Sequence, residues 1–172
     1  MKRKLLWLGA IGAVAALAYA QTVIVRGAIG YGLAGAQDAE RPNAQFRFVA
    51  KQVVFNNQSH TGGSFEIEVR GENALTVVHL PNVNRLEVDA ANGVAVFSGR
   101  GWIAQRTRQG VRRTQGIVTV RVADNREADS TEGDPDTIAV AFRTAPDAEP
   151  AFTYRGVVWR GDIRVFEETR SR

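Results

Sequence analysis

The feature that most constrains this chain is an alternation of apolar and polar residues that recurs along most of its length. The segments 64–70, 85–90, 118–122 and 138–143 each follow a period of two. In a β-strand that period places successive side chains on opposite faces, so each segment predicts a half-buried strand. Beyond residue 20, no stretch shows the period of an amphipathic helix. The pattern predicts an all-β protein.

Turn-forming residues divide the chain into about nine or ten short strands. The predicted strands lie near 22–29, 44–55, 64–70, 74–80, 84–91, 94–105, 115–123, 137–144, 152–159 and 162–167. Strands that follow one another at this spacing predict an antiparallel meander with a barrel-like closure, with a two-sheet β-sandwich as the alternative. Closure is favoured because it removes exposed strand edges. A change of apolar phase near Lys51-Gln52 predicts a bulge or a bend in the second strand.

Five short segments predict tight turns, among them Gln109-Gly110 and Gly71-Glu72-Asn73. Asn92-Gly93 lies between two alternating segments and predicts a two-residue hairpin turn, because both residues tolerate positive φ. That hairpin would place Arg85 opposite Arg100, an unfavourable pair of like charges. Gly62-Gly63 and Arg160-Gly161-Asp162 predict further turns. The last segment is also the tripeptide that integrins recognise, but ordinary turn chemistry explains it better.

The N-terminus has the three parts of a cleavable export signal. Residues 2–4 are basic, residues 5–17 carry no charge, and Ala18-Tyr19-Ala20 places small residues where a signal peptidase reads them. The apolar segment is shorter than the roughly 20 residues that a membrane span needs. We therefore expect residues 1–20 to be a signal peptide and residues 21–172 to be a single all-β domain, secreted or periplasmic in a bacterium.

Composition excludes several classes of function. The chain has no Cys and two His, which excludes disulfides, thiolate metal sites, a Cys nucleophile and a His-rich metal site. The formal net charge of +4 includes the three basic residues of the signal, so the mature domain is close to neutral. A near-neutral domain has little long-range attraction for phosphates, and we expect no nucleic-acid partner.

Most of the domain also follows the motif order of a known family. The matching segments are Phe46-Arg47-Phe48, Gly63–Ile67, Asn92–Gly101, Val118–Asn125, Asp136-Thr137-Ile138, Tyr154, Gly156 and Gly161–Val165. In this order they resemble the post-choice-of-anchor β-domain, a small module of secreted bacterial surface proteins. The resemblance implies an extracytoplasmic all-β module with no established enzymatic activity. The loop after Asn125 departs from the family pattern because it is longer and more acidic.

That acidic loop holds the best metal candidates of the sequence. The candidate ligands for Ca²⁺ are the carboxylates of Asp129, Glu132, Asp134 and Asp136. Calcium prefers several carboxylate and carbonyl oxygens, but the spacing matches no EF-hand loop. Since acidic loops are more often simply solvated, we expect no cofactor, with calcium as the alternative.

A basic segment precedes the acidic loop. Its arginines are Arg100, Arg106, Arg108, Arg112, Arg113 and Arg121, with Trp102 among them. One interpretation is a patch that binds an anionic glycan. The favoured interpretation is a long solubilised hairpin whose charge is compensated by the acidic loop next to it in sequence. The phases of Trp102 and Trp159 predict that both side chains face outward, whereas most phenylalanines, Phe55 included, are predicted to lie in the core.

No pattern in the sequence predicts catalysis, because no nucleophile-elbow motif is present. We therefore predict no catalytic residues and no enzyme. The expected function is that of a secreted, non-catalytic β-domain with a binding or structural role at the cell envelope, monomeric and without a membrane span after signal removal. Candidate partners are a cell-surface protein or a glycan. The alternatives are a carrier of a small apolar ligand inside the barrel and a hydrolase with an unrecognised site.

Overall fold

A computed structural model describes residues 22–126 and 133–171, which form one antiparallel sheet of nine strands. The strands are β1 (Thr22–Gly35), β2 (Ala44–Phe55), β3 (Gln58–Arg70), β4 (Leu75–Leu80), β5 (Arg85–Asp89), β6 (Val94–Thr107), β7 (Gly110–Ala123), β8 (Thr137–Arg143) and β9 (Phe152–Ser171). The predicted all-β class is confirmed. Within the described residues, no helix has the length and hydrophobicity to cross a membrane.

Eight of the strands close into a ring. The sheet order is β4-β3-β2-β1-β9-β8-β7-β6-β5, and an additional pairing of β4 with β6 completes the circle. β4 and β5 pair with different parts of β6, β4 with residues 102–106 and β5 with residues 94–98. This closure confirms the predicted barrel-like meander over the two-sheet sandwich.

Phenylalanine rings fill the interior of the ring. Phe48 on β2 and Phe97 on β6 have ring centroids 5.3 Å apart, although these strands are not neighbours in the sheet. Phe65 lies 6.1 Å from Phe97 and 6.5 Å from Phe48. All three side chains are buried, and such ring pairs add about 0.5–1.5 kcal/mol each beyond their burial. The contact between Phe48 and Phe97 therefore joins opposite walls of the ring.

Four strands continue beyond the ring as an open extension. β4 pairs with β3 only from Phe65 onward, and β8 pairs with β9 only as far as Val157. The outer ends of β1, β2, β3 and β9 therefore pair only with one another. Phe55 lies on this extension and is 38% exposed, so its predicted core position is wrong. The apolar phase changes along β2 because the outer face of the extension is itself partly apolar.

The predicted turn at Gly62-Gly63 and the predicted bulge near Lys51-Gln52 are both wrong. β2 and β3 pair without a register shift from Ala44 to Phe55. The chain turns instead at Asn56-Asn57, where both residues have positive φ, as a type I′ turn requires. Gly63 lies inside β3, where a Cβ atom would collide with the backbone carbonyl of Val49. Close packing of two backbones, and not a turn, therefore requires this glycine.

The predicted turn at Arg160-Gly161-Asp162 is also wrong, because β9 runs through it without interruption. Two predicted strands are therefore one. The register between β1 and β9 shifts between Leu33 and Ala34, so one residue of β9 bulges there. Gly161 has φ +109 and lies against the backbone of Tyr31, a conformation that L-residues rarely adopt. A bulge lets the strand bend without ending.

The hairpin at Asn92-Gly93 forms with a register different from the predicted one. A short 3-10 turn spans Ala90–Asn92, and Gly93 closes it with φ 63. The carboxylate of Asp89 accepts hydrogen bonds from the backbone and side-chain N–H groups of Asn92 at 3.2 and 2.7 Å. The longer loop places Arg85 opposite Ser98 instead of opposite Arg100. The unfavourable pair of like charges is thereby avoided.

Candidate binding surface

Six side chains on the outside of the ring form one row across neighbouring strands. Consecutive pairs in this row are direct cross-strand partners, and their chain neighbours point into the core. The row, called the outer row below, consists of Asp162, Tyr31, Arg47, Glu66, His79 and Trp102. It crosses β9, β1, β2, β3, β4 and β6, and so spans the closure of the ring.

Most members of the outer row contact one another. An Nη2 atom of Arg47 donates to Oε1 of Glu66 at 2.9 Å, and Nδ1 of His79 lies 3.2 Å from Oε2 of the same carboxylate. The rings of His79 and Trp102 are 5.1 Å apart at an angle of 32°. The guanidinium of Arg113, on β7, lies 4.1 Å above the Trp102 ring. The four side chains from Arg47 to Trp102 are thus each held by a neighbour, which lowers the entropy lost when a partner binds.

The outer row forms a ridge between two open clefts of about 600 and 630 Å³. Tyr31, Arg47 and Glu66 line both clefts, while His79 lines only the second. Tyr31 is 67% exposed. Both clefts are open to solvent, so they suit a surface partner better than an enclosed small molecule.

Apolar side chains extend the surface on one side of the row. Val49 is 42% exposed on β2 and lies opposite Ile29 of β1. Val53 and Phe55 follow on the same face of β2 and are also exposed. These side chains add exposed apolar area beside the second cleft, with the exposed Lys51 between Val49 and Val53.

The predicted calcium ligands are not gathered into one described site. Asp129 and Glu132 lie outside the described residues, and Asp134 is exposed. Among the described residues, no group of three His, Asp or Glu side chains is arranged to hold a metal ion. Calcium binding by this loop stays a prediction.

Asp136 is buried and holds the backbone together. Its Oδ1 atom accepts from the N–H groups of Asn125 and Arg126 at 3.0 and 3.1 Å, and its Oδ2 atom accepts from Ile163 at 3.0 Å. Its own carbonyl accepts from the N–H of Val158 at 2.8 Å. Asp136 thus bonds to β9 beyond the point where β8 stops pairing with it.

Asp124 accepts a hydrogen bond from the same edge of β9, two residues beyond the one that Asp136 contacts. Its Oδ2 atom accepts from the N–H of Val165 at 2.9 Å. Burial raises the pKa of Asp124 and the negative charge of Asp136 adds to the rise, while the hydrogen bond from Val165 and the charge of Arg164 oppose it. The carboxylates of Asp136 and Asp124 therefore accept hydrogen bonds that a neighbouring strand would otherwise accept from β9.

The arginine-rich hairpin lies at the opposite end of β7 from these carboxylates. Arg106, Arg108 and Arg112 surround the β6–β7 turn, whereas Asp124 and Asp136 flank the other end of β7. A strand of this length separates the two groups by roughly 40 Å. No ion pair joins these three arginines to a carboxylate in the described part of the chain. The described carboxylates of the acidic loop therefore do not pair with the hairpin arginines. Residues 127–132 of that loop lie outside the described residues, so charge compensation by the loop stays a prediction.

Three comparisons, with protein-family models, with curated proteins and with solved structures, found no match to this chain. The resemblance to the post-choice-of-anchor domain stays a prediction.

Sequence reasoning predicted that Trp102 and Trp159 face outward. Trp159 is 39% exposed, and Trp102 lies opposite His79 as a half-buried side chain. It missed the outer row as a unit. His79 and Glu66 are thirteen positions apart, and only the β3–β4 register makes them partners. The one available signal was that Arg47 and Glu66 each alternate with apolar neighbours that point inward.

Ser64 lines the same cleft as Glu66 and His79. A serine, a histidine and a carboxylate in one cleft are the residue types that the hydrolase alternative needs. Serine hydrolysis needs the hydroxyl within hydrogen-bond reach of the base. Within the described structure, no hydrogen bond joins Ser64 to His79, and the His79 ring packs against Trp102 instead. The arrangement is better suited to holding side chains in place than to activating a nucleophile.

Proposed function

We propose that this protein is an exported, non-catalytic binding domain of the bacterial cell envelope, and that its outer row binds an envelope macromolecule. The observation that carries the proposal is the row of cross-strand partners beside two open clefts, in which the four side chains from Arg47 to Trp102 contact one another in turn. The residue types agree with this role, because Tyr, Trp and Arg dominate the binding energy of protein interfaces.

The filled interior favours a surface site over a carrier function. Phe48, Phe65 and Phe97 pack against one another across the ring, where a carried apolar ligand would have to lie. Ligand carriers built on closed sheets keep that space open. The exposed Tyr31 and Val49, by contrast, lie outside the ring and beside the clefts.

Co-sedimentation with isolated cell envelopes of the source bacterium tests the proposal. The mature protein is expected to sediment with the envelopes, and the double variant Tyr31→Ser/Val49→Ser is expected to bind at least about tenfold more weakly. Thr153→Ala is the control, because Thr153 is exposed near the start of β9, away from the outer row and from the β6–β7 hairpin. Circular dichroism verifies that both variants fold.

Treatment of the envelopes before binding identifies the class of partner. Loss of binding after protease treatment indicates a protein, and loss after muramidase treatment indicates a cell-wall glycan. Equal sedimentation of the double variant and the parent protein would overturn the assignment of the site. Absence of sedimentation by the parent would overturn the envelope-binding function itself.

A further inference from the structure

The first half of β7 has one edge without a neighbouring strand. β7 pairs with β6 along its whole length, from Gly110 to Ala123, but with β8 only from Ile117 onward. The edge from Gly110 to Gly116 therefore has no described strand paired with it, and it is about 20 Å long. The turn after β8 forms backbone bonds within itself and to Phe142, and none to this edge among the described residues. Alternate residues along such an edge offer N–H and C=O groups to a partner.

Positive charge surrounds this edge on both faces of the hairpin. Arg113 and the exposed Val111 lie on the outer face, with Arg106 opposite Val111. Arg112 lies on the other face, because side chains alternate along a strand. Arg108 lies in the turn itself. A strand laid against the edge would therefore meet arginines on both of its faces and one apolar side chain.

We propose that the Gly110–Gly116 edge of β7 binds an extended acidic peptide segment, which adds to the sheet as a further strand. The backbone edge provides regularly spaced donors and acceptors, which a peptide backbone matches and a glycan or a phosphate chain does not. The arginines select acidic side chains, and they also steer the approach of such a segment. This surface is separate from the outer row except at Arg113, which stacks on Trp102.

Fluorescence anisotropy with a synthetic peptide tests the proposal directly. The probe is a labelled peptide of about eight residues that alternates Glu with Val, long enough to span the edge. It is expected to bind at low salt and to weaken steeply as salt rises, because exposed charges are screened. The variant Arg108→Glu/Arg112→Glu is expected to bind at least about tenfold more weakly. Arg85→Glu/Arg155→Glu makes the same change of charge at two exposed arginines on β5 and β9; it serves as the matched control and is expected to bind like the parent.

Two modified peptides separate strand addition from simple charge attraction. One carries N-methyl groups on all Val residues and the other on all Glu residues, so each lacks one alternate set of backbone donors. Strand addition uses one set only, so one modified peptide is expected to lose binding and the other to retain it. Slower hydrogen exchange at residues 111–115 on peptide binding would give independent support.

Three outcomes would overturn the proposal. Equal binding of both N-methylated peptides would mean that charge alone attracts the probe. Tighter binding of a sulfated polysaccharide at the same residues would make the surface a glycan site. Self-association abolished by Arg108→Glu/Arg112→Glu in sedimentation velocity would mean that a second copy occupies the edge. Arg108→Gln provides a milder variant should the double charge reversal fail to fold.

Discussion

At the level of single residues, two aspartates supply the hydrogen-bond acceptors for one edge of β9. Beyond Val157, β9 has no further partner in β8, yet its N–H groups at Val158, Ile163 and Val165 all find acceptors. Asp136 supplies two of these acceptors and Asp124 the third. Buried N–H groups without acceptors cost about 1–3 kcal/mol each, so these two residues allow β9 to continue past β8.

Replacement of Asp136 is expected to be strongly destabilising. Asp136→Ala removes the acceptor of three backbone N–H groups, and we expect a loss of about 3 kcal/mol or more in the free energy of unfolding. Urea denaturation measures this loss. Asp134→Ala is the control, because Asp134 is exposed two residues away and is expected to change stability by no more than about 0.5 kcal/mol. Equal effects of the two variants would contradict the role assigned to Asp136.

The raised pKa of Asp124 predicts a pH-dependent difference between the parent and Asp124→Asn. Burial raises this pKa above its usual value of 3.8, so the folded state disfavours the ionised form. The stability linked to this group is therefore complete at pH values below 3.8 and is lost as the pH rises through the folded-state pKa. Asn is neutral and its Oδ1 atom can still accept from Val165, so the variant escapes this loss.

The expected result is that Asp124→Asn gains stability relative to the parent as the pH rises from about 4 to 7. Urea denaturation of both proteins at several pH values in this range measures the difference. A difference that stays constant with pH, or that favours the parent more at neutral pH, would show that the carboxylate charge is not disfavoured in the folded state.

At the level of the elements, alternation predicted the strands well, and turn-forming residues predicted some turns correctly, such as Gln109-Gly110 and Gly71-Glu72-Asn73. The apolar period of two located almost every strand, because it reports burial on one face. Glycines misled the turn assignments, since Gly62-Gly63 and Gly161 lie inside strands. The actual turn at Asn56-Asn57 joins the strands beyond the region where alternation is clear. In this protein several glycines permit two backbones to approach closely, which a single sequence cannot distinguish from a turn.

Gly161 is expected to be essential for the close contact of β9 with β1 beside the outer row. Gly161→Ala would impose positive φ on an alanine and bring its Cβ atom against the carbonyl of Tyr31, so we expect a loss of at least about 1–3 kcal/mol. Thermal unfolding measures the loss. Gly62→Ala is the matched control, since a Cβ atom there meets no atom within 4 Å, and it is expected to be neutral or slightly stabilising. Similar losses for both would point to general intolerance of β3 and β9.

At the scale of the whole molecule, closure of the ring creates the candidate surface. Glu66 and His79 become partners through the β3–β4 pairing, and Trp102 joins them only because β4 pairs with β6. Register and closure depend on packing between residues far apart in the chain, and a shift of one residue reverses which face a side chain occupies. The strands were therefore predictable from local pattern, whereas the outer row was not.

The last prediction concerns the chain as a whole, because residues 1–20 are expected to be removed as a signal peptide and residues 21–172 to form the mature domain. Signal peptidases require small residues at the positions occupied by Ala18 and Ala20. Expression of the full chain in a bacterial host is therefore expected to yield an extracytoplasmic protein whose mass corresponds to a start at Gln21. Ala20→Phe is expected to block cleavage, so that the uncleaved chain fractionates with membranes through its apolar N-terminal segment. Intact-mass spectrometry of the cell fractions measures the outcome. An uncleaved chain in the cytoplasm of the strain that expresses the unmodified protein would contradict export. The outer row would then serve an intracellular partner.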